Sequence, residues 1–306
     1  MLDTLVQTLL HALVLALVPP LLPGIVNKTK AVLAGRTGPP VLQLYYDLAK
    51  LAGKGIVLSR TTTWVFCAGP LAGVVTALLA GLLVPLGTHR APISFPGDFV
   101  LFAYLLALGR FFTAAAALDT GSAFEGMGAA REVSFSPLAE PALFFGFLAA
   151  ARVSGSLSLS GLLTGAWTSG WFASGGALLL VLAAWFVVLL AETCRIPFDD
   201  PNTHLELTMI HEVMVLDHGG PLLGLVLYGS SVKLFVLGAL VVRLALPVPS
   251  GGPLPAWILF GAGMAALAIG IGVVESVMAR LRLVRVPQLL VTACLLSALG
   301  TVLVMR

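Results

Sequence analysis

Long apolar stretches alternate with short polar segments along the chain. A helix that crosses a bilayer needs ~20 mostly apolar residues. The stretches that meet this requirement lie at approximately 5–26, 64–87, 97–118, 138–153, 171–191, 220–246, 254–279 and 287–305. The alternating pattern of outer-membrane β-barrels is absent, so helices must satisfy the backbone hydrogen bonds. We therefore predict an all-α, polytopic membrane bundle of about eight spans, forming a single domain over 1–306.

Composition supports the same class. Hydrophobic residues make up 58% of the chain and its mean hydropathy is +1.03, too apolar for one soluble core of this length. Eleven Lys and Arg residues fall in connections after odd-numbered spans, against four in the other connections and at the C-terminus. The positive-inside rule then predicts an inner (cytoplasmic) membrane protein with both termini outside. The predicted cytoplasmic loops are 27–63, 119–137, 191–219 and 280–286.

The first of these loops contains an amphipathic pattern. Gln43, Asp47, Lys50 and Lys54 recur at helical spacing and define one polar face. Tyr45 and its apolar neighbours cover the other face. The pattern predicts a helix after the first span that lies at the membrane interface or packs on the bundle.

The segment 191–220 is a polar island, with six acidic residues and three histidines in a chain that is only 10% charged. Pro197 and Pro201 end the preceding span. Thr203 and Glu206 form a capping-box pattern, which predicts a short helix to about Leu216. Charge placed between two apolar stretches must be held by protein or lie at the membrane surface, so we look for function here.

Charged residues inside predicted spans point the same way. Lys233 falls near the middle of the sixth span, where an unpaired cation costs at least ~2.5 kcal/mol. Glu140 and Glu275 lie near the ends of the fourth and seventh spans. Carboxylates at these positions and at Glu192, Glu206 and Glu212 could form a proton relay. The alternative is local pairing, for example of Glu192 with Arg195 or Glu275 with Arg280.

Several other chemistries lack a signal. Cys67, Cys194 and Cys294 form no C-x-x-C pair, so no zinc or iron–sulfur site can be assembled from this chain alone. His211-Glu212 is followed by Val215 where a zinc H-E-x-x-H motif needs histidine. No nucleotide-binding loop or basic nucleic-acid-binding stripe is evident. We therefore expect no cofactor, metal site, catalytic residue or nucleic-acid partner in this chain.

The polar island carries a family resemblance. The sequence RIPFDDPNTHLELTMIHEVMVLDHGG resembles the signature loop of the membrane anchor (subunit 4) of energy-converting nickel–iron hydrogenases and formate hydrogenlyase, which is similar to respiratory complex I subunit 1. The resemblance extends to these motifs: Gly35-Arg36 through Gly38-Pro39, Asp47-Leu48, Lys50-Leu51, Leu118-Asp119, Phe124 to Gly128, Ala130-Arg131-Glu132 and Arg280-Leu281-Arg282. It thus covers nearly the whole chain.

The resemblance implies a non-catalytic anchor within an oxidoreductase complex. Its cytoplasmic loops would dock the hydrogenase large and small subunits, or equivalent iron–sulfur proteins, which hold the nickel–iron centre and the clusters. Its acids would begin a proton path toward antiporter-like membrane subunits. On this basis the proton path comprises Glu140, Glu192, Glu206, Glu212, Lys233 and Glu275. The docking or coupling residues are Arg36, Arg131, Arg195, Asp199, Asp200, His204, His211, Asp217 and His218.

Two other functions stay open. In the quinone-reactive branch of the family this subunit forms much of the quinone cavity, and its loop reads closer to PFDLPE followed by a run of glutamates. The sequence from Asp199 to His204 and around His211 resembles the hydrogenase branch instead. A second alternative is a component of an ion- or substrate-transport complex without hydrogenase.

Overall fold

The computed structural model describes residues 2–87, 90–164, 167–199, 209–246 and 252–306. Within these residues the chain forms helices, turns and loops but no strand. The helices are α1 (Leu2–Leu17), α2 (Leu21–Leu33), α3 (Gln43–Ala52), α4 (Trp64–Leu83), α5 (Asp98–Asp119), α6 (Ala123–Ser154), α7 (Leu159–Thr164), α8 (Trp167–Glu192), α9 (His211–Met214), α10 (Gly220–Ala245), α11 (Pro253–Val277) and α12 (Val286–Met305).

The predicted multi-span bundle is confirmed. Seven helices among the described residues are long and apolar enough to cross a membrane, namely α4, α5, α6, α8, α10, α11 and the segment containing α12. α1 and α2 meet at a bend of 47° and together pass the same test, which gives eight spans when the pair is counted as one. Pro19 and Pro20 lie at the bend, where proline removes backbone donors that a continuous helix needs.

Two local predictions were wrong. Most of the predicted loop 119–137 is helical, because α6 begins at Ala123 and runs through it. The predicted helix from Thr203 to Leu216 is also not continuous. Residues 200–208 lie outside the described residues, but Met209 and Ile210 are not helical and α9 is a single turn. The Asp199 carboxylate accepts hydrogen bonds from the backbone N–H groups of Ile210 and His211, at 2.9 and 3.0 Å, and so starts the helical turn there.

α10 lies at the centre of the bundle, with almost every residue from Ser231 to Leu244 buried. Around it the helices approach through small residues and hydroxyl groups. Ser297 and Thr301 of α12 donate hydrogen bonds to the Ala142 and Phe145 carbonyls of α6, at 2.7 and 2.8 Å. Such contacts suit helix association in lipid, where hydrophobic burial alone gives no preference for a protein neighbour.

The amphipathic helix is confirmed as α3, although Lys54 lies beyond its end. None of its residues is buried, and it packs against α10 and α2. The Gln43 amide donates to the Asp47 carboxylate at 2.9 Å, and the Tyr45 hydroxyl donates to the Leu17 carbonyl. α3 is therefore attached to the bundle close to the bend between α1 and α2.

Two glycines of α11 provide a matched test of the packing between α11 and α2. A Cβ at Gly272 would lie 2.7 Å from the Thr29 Cβ and 3.0 Å from the Val26 carbonyl oxygen, whereas a Cβ at Gly270 meets nothing within 4 Å. We expect Gly272→Ala to destabilise the chain by about 1–3 kcal/mol through overpacking. Gly270→Ala should be neutral or slightly stabilising. Thermal unfolding of both purified variants in detergent measures this, and equal melting temperatures would contradict the close packing.

Candidate functional site

A cavity of about 410 Å³ lies inside the bundle, beside the segment that follows α8. Its wall combines residues of α2, α4, α5 and α10 with the connection before α3 and with the segment 193–218. The titratable side chains at this wall are Asp47, Arg110, Glu132, Glu192, Cys194, Arg195, His211, Glu212, His218 and Lys233. The polar island and the charges inside the spans thus meet at one place.

Glu192, at the end of α8, is the centre of the first ion-pair network. Its carboxylate lies 2.8 Å from the Lys233 ammonium of α10 and 2.5 Å from the Arg110 guanidinium of α5. Arg110 also pairs with Glu140 of α6. Four helices therefore contribute two acids and two bases, so each charge within the bundle faces an opposite charge. The pairing of Glu192 with Arg195 that we considered from sequence is not found.

Glu275 of α11 is the centre of a second network. Its carboxylate lies 2.7 Å from the Lys30 ammonium of α2 and 3.4 Å from the Arg195 guanidinium. The Glu275 side chain is fully buried, so both cations compensate a charge that has no access to water. Arg280, the partner we considered from sequence, pairs instead with Asp199 at 3.0 Å.

Asp199 binds the polar segment to the rest of the chain. It is buried, accepts the two backbone N–H groups that start α9, and pairs with Arg280 beyond the end of α11. Close by, the Leu281 N–H donates to the Pro197 carbonyl at 2.9 Å. The structure therefore gives Asp199 an internal role rather than the surface position that docking suggests.

His211 and Glu212 are adjacent at the start of α9 and both line the cavity. Burial lowers the pKa of His211 despite the opposing effect of the Glu212 charge. Burial likewise raises the pKa of Glu212, although His211 opposes the shift. Both groups are thereby shifted toward their neutral forms. Burial also raises the pKa of the Cys194 thiol well above its usual range, and the carboxylates of Glu132 and Asp199 add to the effect, so this thiol stays protonated.

Other predicted docking residues also have partners inside the chain. Arg131 donates to the Met209 carbonyl at 2.6 Å. The His218 ring stacks on Phe66 with centroids 4.0 Å apart and is 5% exposed, and burial lowers the pKa of His218. Arg195 binds Glu275 as described. Arg36 and Asp217 are exposed, although the Asp217 N–H donates to Glu125.

Three predicted site residues, Asp200, His204 and Glu206, lie outside the described residues. Conversely, sequence reasoning missed four charged residues that the structure brings to the site or its networks: Lys30, Arg110, Glu132 and Arg280. Arg110 could have been found, because it is a cation inside a predicted span. Glu132 was hidden by its assignment to a loop. Among the described residues, no group of three or more His, Cys, Asp or Glu side chains is arranged to hold a metal ion.

Comparison with known families defines the class of the protein. The sequence profile of the family described as NADH dehydrogenase matches residues 6–306, so the chain belongs to that family. Formate hydrogenlyase subunit 4 of Escherichia coli (strain K12) is 35% identical over 240 residues, which cover 78% of this chain and 76% of that protein. Hydrogenase-4 component C of the same organism is 33% identical over 239 residues, covering 78% and 74% of the two chains.

More distant similarity extends to respiratory complex I. A membrane component of the NADH-quinone oxidoreductase of Bordetella petrii is 25% identical over 210 residues, 65% of this chain and 58% of that protein. A chain in the structure of the membrane-bound sulfane sulfur reductase, an archaeal respiratory membrane complex, superposes with a TM-score of 0.81. It is 21% identical, covers 99% of both chains and shows the shared fold. The protein is thus a multi-pass membrane subunit of a respiratory-type complex.

Two acids that share Arg110 test the first network. The Glu192 side chain is 4% exposed and compensates two cations, whereas Glu140 is 40% exposed and compensates one. We expect Glu192→Gln to destabilise the chain by about 3–5 kcal/mol, because it leaves buried cations facing each other. Glu140→Gln should cost about 1 kcal/mol or less, because water screens its charge. Thermal unfolding in detergent distinguishes the two, and equal losses would show that Glu192 is not the central charge.

Proposed function

We propose that this chain is the membrane anchor and proton-coupling subunit of a multisubunit energy-converting hydrogenase of the formate hydrogenlyase kind. It docks a hydrophilic redox arm on the cytoplasmic side of the inner membrane and links that arm to antiporter-like membrane subunits. The nickel–iron centre and iron–sulfur clusters lie in partner subunits. Identity of 35% and 33% to two such membrane subunits supports this assignment over more distant members of the family.

The observation that carries the coupling role is the continuity of charge at the cavity. His211 and Glu212 face it from the polar segment, and Glu192 and Lys233 face it from the spans. Acids within a membrane bundle that reach an internal cavity are typical of proton pathways. The raised pKa of Glu212 suits it to exchange protons near neutral pH.

The geometry of the first network supplies a physical means of coupling. Glu192 lies between Arg110 and Lys233. A proton that arrives at Glu192 removes the negative charge between two cations, so their mutual repulsion increases and the Lys233 ammonium is released. Because these residues belong to α5, α8 and α10, a change of one charge at the cavity acts on three spans of the bundle.

Docking falls to the exposed residues near the polar segment and the first connection. Arg36 and Asp217 keep exposed side chains and are the described members of the docking set that are free to meet a partner surface. The buried members, such as Asp199 and His218, hold the segment in position behind that surface. In this arrangement the same segment contacts the redox arm on one side and lines the cavity on the other.

A quinone site is the second candidate function. The volume of about 410 Å³ falls within the range of small-molecule pockets, and a component of an NADH-quinone oxidoreductase is among the relatives. The many charges at the wall oppose it, since such pockets are predominantly apolar with few polar groups. Quinone reduction by the purified complex that is sensitive to quinone-site inhibitors would favour this second function.

The assignment is tested first by the company the chain keeps. We expect the chain, isolated from mildly solubilised membranes, to bring with it nickel, iron and hydrogen-dependent dye reduction. Iron–sulfur protein with quinone reduction and without nickel would replace the hydrogenase assignment with the complex I one. Isolation without nickel, iron or acid-labile sulfide would instead support a transport-associated role and overturn both.

Glu212→Gln tests the coupling role. The substitution keeps the size of the side chain but removes its proton exchange, so proton movement in sealed vesicles should fall to near background while hydrogen-dependent dye reduction is retained. Arg152→Gln changes one charge at an exposed position at the far end of α6 and serves as the control. Normal proton movement in the Glu212→Gln complex would remove Glu212 from the path.

A further inference from the structure

An open groove of about 1050 Å³ lies on the outside of the bundle, where α2 ends beside the end of α11. Lys30, Ala31 and Leu33 of α2 and Ala34 line it on one side, and Ser276 and Val277 of α11 line it on the other. The turn from Arg36 to Pro39 closes the remaining side. No part of the proposed coupling mechanism uses this groove.

The groove has an excess of positive charge. Among the described residues no acidic side chain lines it, and the Lys30 charge is already compensated by Glu275. Arg36 is exposed at the rim and forms no ion pair with any described residue. The Lys28 ammonium donates to the Thr37 carbonyl at 2.6 Å, which brings a second cation to the same turn without neutralising it.

The rim that carries Arg36 is held in a defined conformation. The Arg36 N–H donates to the Ala31 carbonyl at 2.8 Å and so caps the end of α2. Gly35 and Gly38 flank the arginine and its neighbour with φ of +66° and +61°, a conformation that favours glycine. The backbone of Arg36 is therefore fixed at the edge of the groove, while its guanidinium stays exposed.

Large apolar side chains flank this charged rim. Val277 is 79% exposed, Val32 64% and Leu33 55%, and all three lie in the last turns of membrane-spanning helices. An exposed cation directly beside exposed apolar side chains at helix ends matches a molecule with an anionic head and apolar tails. A bilayer lipid has this chemistry, and it also surrounds α2 and α11.

We propose that the groove is a binding site for an anionic phospholipid, with its phosphate at Arg36 and Lys28 and an acyl chain along Leu33 and Val277. Basic pockets between spans on the cytoplasmic side are suited to anionic headgroups. The guanidinium of Arg36 supplies paired N–H donors for a phosphate, which the Lys28 ammonium supplements as a point charge. The lipid would fill the space between α2 and α11 above the ion pair of Lys30 with Glu275.

Native mass spectrometry of the full chain in detergent, with phosphatidylglycerol or phosphatidylcholine added, tests the site. We expect retention of one phosphatidylglycerol in preference to phosphatidylcholine. Arg36→Gln should reduce that preference about fivefold, the effect of one basic residue near a lipid surface. Val277→Glu places an anion at an exposed position of the groove wall and should reduce it similarly.

The control is Arg60→Gln, which removes an exposed cation from the same predicted side of the membrane but away from the groove. Arg60→Gln should retain phosphatidylglycerol as the unsubstituted chain does. Equal retention of the two lipids, or an undiminished preference in Arg36→Gln, would overturn the proposal. Competition by inorganic phosphate alone, or loss of partner subunits from the Arg36→Gln complex without loss of lipid, would also overturn it, because the rim would then recognise a free anion or a protein.

Discussion

The fold depends on the compensation of charge inside an apolar bundle. An ionised side chain in the bilayer is costly unless an opposite charge or water reaches it. Here Glu192 and Glu275 each bind two cations from other parts of the chain. These contacts connect helices that share few neighbours in sequence, so the same charges that give the site its chemistry also determine which helices lie together.

The segment after α8 shows how a polar stretch becomes part of a membrane fold. It is attached through buried groups, with Asp199 bound to Arg280 and to the start of α9, and His218 stacked on Phe66. These contacts use residues that could otherwise face a partner. The segment is thus a wall of the cavity first, and its exposed edge is available for contact with other subunits.

The sequence predicts the class of fold well because apolar length is a local property. Each span can be recognised by itself, and the amphipathic helix α3 follows from spacing alone. The ion pairs could not be predicted, because the cost of a charge such as Arg110 or Glu275 says that a partner exists but not which one. α6 was misread as a loop in its first half because its polar residues find partners within the protein, among them Arg131, which binds the Met209 carbonyl.

The pairing of Lys30 with Glu275 has a consequence for biogenesis. Lys30 leaves the ribosome in the first span, but its carboxylate partner follows 245 residues later in the seventh. The early span must therefore wait at the membrane with an uncompensated ammonium, at its cytoplasmic end where water still reaches it. Only insertion of α11 lets α2 settle against the bundle, so the translation order places closure of this part of the protein near the end of synthesis.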